Sequence, residues 1–168
     1  MDFTAQAIGI IAMGLGMLSF QMKNTKKILL VQIFSTLIFG THYFLIGGYA
    51  GAALNILSMI RNIIFYFKEK KWAKSKIWIY VFTAVFAVAA YLSGDGWLGI
   101  LPFLGCTFMT IAVYFESGKT TRQIIWLSSP CWLIYNYITG SIGGVIAEVF
   151  NLTSIVISIL RNDIKRKK

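Results

Sequence analysis

Charge is scarce in this sequence, and acidic charge is scarcest. Only 13% of the 168 residues are charged, 6 of them acidic against 16 basic. Soluble domains carry roughly 25% charged residues, spread over a surface that faces water. Here 57% of the residues are hydrophobic and the mean hydropathy is +0.71. A single core in a chain of this length has no room for that much apolar surface. The shortage of charge excludes a water-soluble domain and points to a polytopic membrane protein whose first partner is the lipid bilayer. The net charge of +10 does not argue for nucleic acid, because a basic patch needs a soluble surface to display it. Lysines that set membrane orientation account for it better.

Reactive side chains are equally rare. Cys106 and Cys131 lie inside apolar stretches, so they form neither a disulfide framework nor a metal site, and packing is the expected role. There is one histidine, His42, and no Walker lysine loop, HExxH, CxxC or GxSxG; "SGDG" is only a turn. A membrane hydrolase needs a nucleophile and base, or paired carboxylates, at one depth, and only Glu148 and His42 offer anything of that kind. The expectation is therefore no enzyme, no catalytic residue, no metal and no cofactor. Nothing is long enough to be a soluble ATP-binding domain.

What the sequence does have is long apolar runs. About 20 residues carry a helix across the hydrocarbon core, with a range of about 17–25. Seven such segments fit, near 3–22, 28–46, 49–67, 77–93, 97–115, 122–139 and 142–160. The first, "MDFTAQAIGIIAMGLGMLSF", has no positive charge ahead of its apolar run and reads as a retained span, not a cleaved signal. Apart from Arg61, every Lys and Arg lies at 23–27, 68–76, 119–122 or 161–168. Seven spans put all four groups on one side, whereas six would split them. The positive-inside rule then gives an outside N-terminus and a cytoplasmic C-terminus. Phe3, Trp72 and Trp97 at the span ends read as interface anchors.

Sliding the chain on itself by 93 residues brings Asp2 over Asp95, Lys26 over Lys119, Ser35 over Ser128, Gly47 over Gly140 and Gly51 over Gly144. Hydropathy and turn types recur with the same offset. The expected organisation is a three-helix repeat in 1–70, a linker loop and fourth helix in 71–94, and a second repeat with a basic tail in 95–168. One linker span makes the two repeats parallel, a known transporter plan with the substrate site at the repeat interface.

Polar residues in these runs are the candidate site. In "THYFLIGGYAGAALNILSMIRN", residues 41–62, His42 and Asn55 each lie about 6–8 Å from the glycine turn. In the second copy, "SPCWLIYNYITGSIGGVIAEVF", Tyr135 aligns with His42 and Glu148 with Asn55, and Asn136 adjoins. Facing repeats would bring these groups to one cavity, with Tyr43, Trp132 and Tyr137 nearby as stacking surfaces. Glu148, an intramembrane carboxylate, is the sharpest candidate, for solute binding or proton coupling; the alternative is a paired group tying helices together. His42 is open between a ligand contact and a bond to a backbone carbonyl, and Asn55 and Asn136 between ligand contacts and interhelical glue. Arg61 either snorkels to the cytoplasmic surface or contacts an inner gate. Pro102, aligned with Gly9, is either a hinge or a tolerated kink. Ala5, Gly9, Ala12 and Gly16 make a small-residue stripe for close helix approach.

The two quoted stretches resemble those of YgjV-type bacterial inner-membrane proteins over nearly the whole chain, which implies the bacterial inner membrane as the location. The 3+1+3 layout is similar to that of SWEET sugar facilitators and PnuC vitamin and nucleoside facilitators. The SWEET resemblance implies a pocket built by an Asn on the third helix of each repeat, beside aromatics on the second. Asn55 matches one such position. Glu148 stands at the other, a departure from a neutral-sugar pocket, and no PQ dipeptide occurs.

The resulting expectation is an all-α, seven-span facilitator of a small polar solute such as a sugar, nucleoside or vitamin precursor. Asn55, Glu148, His42, Asn136, Tyr135 and Trp132 would form the pocket, with Arg61 and Pro102 as gate or structural residues. The alternative is a membrane scaffold or regulatory subunit that transports nothing. A second copy of the chain is an open partner.

Overall fold

The breaks between apolar runs become the turns of the fold. In the computed structural model the backbone is described for residues 2–20, 22, 25–115 and 118–166, and side chains for all of these except 20, 25, 118–123, 125, 155 and 158–166. Helices α1 (Phe3–Phe20), α2 (Thr25–Leu45), α3 (Tyr49–Tyr66), α4 (Ile77–Leu92), α5 (Ile100–Phe115), α6 (Gly118–Thr139) and α7 (Ile142–Arg166) are joined by short loops, with a 3-10 turn at Gly96–Gly99 before α5. Among the described residues there is no strand. The basic side chains at 119–122 and 161–168 lie outside the described set.

Two of the turns show why glycine is needed there. Gly47 and Gly140 have φ of 79° and 72°, the left-handed conformation that ends a helix and that other residues resist. The next amide reaches back five residues in each case, Gly48 N to Tyr43 O and Ser141 N to Asn136 O, both at 2.9 Å. This closes α2 and α6 with the same Schellman cap.

Six helices form a closed ring in the order α1, α2, α3, α5, α6, α7, each packed on the next and α7 returning to α1. α4 lies outside the ring, against α3 and α5. Along the ring α1–α2–α3 and α5–α6–α7 meet at two seams, α3/α5 and α7/α1. Ser35 donates to Ala12 O at 2.8 Å, joining α2 to α1, and Ser128 donates to Gly105 O at 3.0 Å, joining α6 to α5. Both partners of the second bond lie 93 residues beyond those of the first, the same offset that separates Tyr43 from Asn136.

The polarity of the molecule is inverted relative to a soluble protein. Gln6, Ser35, His42, Asn55, Arg61 and Asn136 are buried, while Ile10, Phe34, Tyr80, Val88, Ile134 and Val149 are exposed. In hydrocarbon there is little to gain from burying more apolar surface, so small residues and polar bonds hold the helices together. Ala5 and Ala12 are fully buried in the α1 stripe. A Cβ on Gly143 would stand 2.6 Å from the Gly9 backbone, so α1 and α7 touch main chain to main chain. At the other seam Phe82, Phe86 and Ala90 of α4 pack on Leu54 and Cys106.

Among the described residues, two helical stretches are both long and apolar enough to cross a membrane by themselves, Lys26–Leu45 and Gly96–Phe115, with hydropathies of 1.7 and 1.9. Phe3–Ser19, Ile77–Leu92 and Ile142–Ser154 are apolar but shorter. Polar side chains on α3 and α6 lower the hydropathy of those two helices. Pro102 is not a mid-span hinge. It is the third residue of α5, in the first turn, where a missing N–H forfeits no helical bond. Pro130 is the proline that lies in the interior of a helix, α6, which runs through it unbroken.

Candidate functional site

α3 carries its polar residues at positions 55, 58, 61 and 62, a spacing of three to four that puts them on one face. Asn55, Ser58, Arg61 and Asn62 are all buried, and that face turns into the ring. It lines a central cavity of about 160 Å³ to which all six ring helices contribute and α4 does not. α2 supplies Gln32, Ser35, Thr36 and Tyr43; α6 supplies Trp132 and Asn136; α7 supplies Glu148 and Asn151. α1 contributes Met13 and Met17, and α5 Cys106 and Met109.

Four of the six residues expected in the pocket, Asn55, Glu148, Asn136 and Trp132, are therefore on the cavity wall. Asn55 donates to Gly51 O at 2.9 Å, which fixes its rotamer along α3. Asn136 accepts the Tyr43 hydroxyl at 2.5 Å, a bond from α2 to α6 straight across the ring. Trp132 stacks on Tyr43 with centroids 5.8 Å apart. Its indole fits because residue 105 is glycine: a Cβ there would lie 2.4 Å from Trp132 Nε1. Glu148 accepts from Asn151 Nδ2 at 3.2 Å, with the Ser129 hydroxyl also beside it.

The other two, His42 and Tyr135, are off the cavity wall, one at each seam. His42 Nδ1 is 2.7 Å from Ala5 O and Nε2 is 2.7 Å from Ser141 Oγ, tying α2 to α1 and to the start of α7. Tyr135 accepts from Gly51 N at 2.8 Å and donates to Asp95 Oδ2 at 3.0 Å, tying α6 to α3 and to the turn before α5. Asp95 Oδ2 also accepts Ala50 N at 2.9 Å. Gln6 completes the His42 seam, donating to Gly140 O at 2.9 Å and accepting from Ile142 N at 3.1 Å. Tyr137 is 80% exposed and turned away from the cavity.

Arg61 does not snorkel. It is 4% exposed, and its guanidinium donates to Asn62 Oδ1 at 3.1 and 3.2 Å, Cys106 O at 3.3 Å and Thr110 Oγ1 at 3.1 Å. The polar face of α3 looks inward, so its arginine does too. Ser58, Asn62 and Tyr43 are also on the wall. The first two were legible from the 55–58–61–62 spacing. Choosing Tyr43 over its neighbour His42 required the rotation of α2 about its axis, which one apolar face after another conceals.

Helices with apolar side chains outward, around a cavity into which Asn55, Arg61, Asn136 and Glu148 face, define a helical membrane protein. The chain belongs to the Imp-YgjV family of bacterial inner membrane proteins, whose model matches residues 3–166. It is 31% identical over 144 residues to the inner membrane protein YgjV of Escherichia coli strain K12, covering 86% of this chain and 76% of that protein. No solved structure matches it.

Proposed function

We propose that this protein is a facilitator of a small polar solute, which binds in the central cavity and passes by alternating access. The observation that carries the reading is the cavity itself, about 160 Å³ in volume and lined by both three-helix units. A scaffold has no need to keep Asn55, Asn136, Arg61 and Glu148 around an open space when apolar packing would be cheaper. In this reading all seven helices span the membrane, with the basic loops cytoplasmic and the N-terminus outside. Residues 1–70 and 95–168 act as parallel repeats that rock about the cavity, and 71–94 link them. The repeat is supported by the paired Schellman caps and by the paired serine bonds to Ala12 and Gly105.

His42 and Tyr135 occupy equivalent repeat positions, and both close seams near the glycine turns. They are positioning residues of the gate, and Asn55, Asn136, Trp132 and Glu148 are the binding residues. The test is aqueous access. Asn55→Cys, in a background with Cys106→Ala and Cys131→Ala, is exposed to a membrane-impermeant sulfonate thiol reagent in right-side-out and inverted vesicles. Labelling from at least one side is expected. Labelling from neither side, in folded protein, describes a dry bundle and moves the reading to the scaffold.

A further inference from the structure

The cavity wall carries one buried guanidinium, Arg61, and one half-buried carboxyl group, Glu148, and among the described residues the two form no ion pair. Every described acceptor of the Arg61 guanidinium is neutral, and among the described residues no carboxylate lies within salt-bridge distance of it. Asn62 strengthens this donor group. Its Oδ1 is taken by Arg61, so its amide nitrogen points away from the guanidinium, and that nitrogen is buried with no hydrogen-bond partner among the described residues. Asn62 is 1% exposed and lies on the cavity wall. A buried amide left without an acceptor is costly, and a native structure that keeps one needs a reason for it. Glu148 stands on α7, the helix opposite α3 in the ring, and its described side-chain partners, Asn151 and Ser129, are also neutral.

We propose that the solute is a small zwitterion carrying a carboxylate and an amine, the carboxylate held by Arg61 and Asn62 and the amine by Glu148. This inference rests on the facilitator reading. Charge balance favours both signs on one ligand. A lone anion leaves the cavity with uncompensated negative charge and a lone cation leaves it positive. A zwitterion gives Arg61 and Glu148 one partner each, in a place where unpaired charge is expensive. Size narrows the class. A dry engineered cavity of about 150 Å³ holds benzene, so this one admits about six to ten non-hydrogen atoms. That fits an amino acid better than a nucleoside or disaccharide.

The test uses the purified full chain and four probe sets in thermal-shift and calorimetric titrations. These are amino acids from α- to ω-amino spacing, carboxylates of matching length, amines of matching length, and ribose with other polyols. At least one amino acid is expected to bind ten-fold or more tighter than its matched carboxylate, amine and every polyol. Glu148→Gln keeps the shape and an acceptor for Asn151. It is expected to lose about that ten-fold for the amino acid while binding the matched carboxylate at least as tightly as before. Asn62→Ala, and Arg61→Lys as the charge-conserving variant, should weaken amino acid and carboxylate together and leave the amine unchanged. Polyol binding without amino-acid binding overturns the zwitterion and leaves the facilitator standing. So does amino-acid binding that is indifferent to Glu148→Gln. No binding by any set, together with an Asn55→Cys that reagent cannot reach, overturns both.

Discussion

His42 and Asn55 are both buried polar residues in largely apolar helices, and the fold gives them opposite tasks. Both ring nitrogens of His42 are bonded in the α1/α2/α7 seam, whereas Asn55 lies on the cavity wall. His42→Ala removes two buried hydrogen bonds and is expected to cost about 1–3 kcal/mol of stability. The solute response should survive in whatever protein remains folded. Asn55→Ala is expected to do the reverse, with a small change in melting temperature and loss of the solute-induced shift. Melting curves with and without solute separate the two. Gly143→Ala should cost about 1–3 kcal/mol or more, because its methyl meets the Gly9 backbone at 2.6 Å, and backbone yields less than a side chain. A melting temperature equal to wild type would show that α1 and α7 are not in main-chain contact.

At the scale of the element, α3 and α4 decide most. The inward face of α3 carries the cavity's only described arginine, and its neighbour α4 covers just one of the two seams. Polar bonds tie both seams, those of Arg61, Tyr135 and Asp95 at α3/α5 and those of His42 and Gln6 at α7/α1. They differ in that α3/α5 is also covered by aromatic packing from α4 and α7/α1 is closed by glycine contact. Phe86 is fully buried in the α4 contact, and Phe86→Ala is expected to cost about 3–5 kcal/mol through the hole it leaves. Val88, on the same helix but 58% exposed, is the control, and Val88→Ala should leave the melting temperature nearly unchanged. Equal effects from both would mean that α4 does not seal the seam.

For the whole molecule, the proposed orientation puts the glycine turns outside and the lysine-rich loop 68–76 inside. Tyr49→Cys and Lys71→Cys probe these two ends, and both side chains are exposed. In intact cells an impermeant maleimide should label the first and not the second. The opposite pattern would invert the topology, and labelling of both would break the seven-span count.

Helix number, helix bounds within a few residues, and the glycine and basic turns were legible in the chain, because hydropathy and turn chemistry act locally. Shared depth marked Asn55, Asn136 and Glu148, which line the wall, but marked His42 and Tyr135 equally, which do not; Trp132 and Tyr43, expected nearby as stacking surfaces, are on the wall. The sequence by itself thus determined what must be helix, what must turn, and that polar groups within an oily chain need an inward place. Only tertiary structure decided which way α2 and α6 are rotated. On α3 the 55–58–61–62 stripe marks the inward face and carries Arg61 with it, but on α2 and α6 no such stripe settles the rotation, so His42 and Tyr135 went to the seams and Tyr43 to the cavity. Closing six helices into a ring set those angles, and with them the cavity.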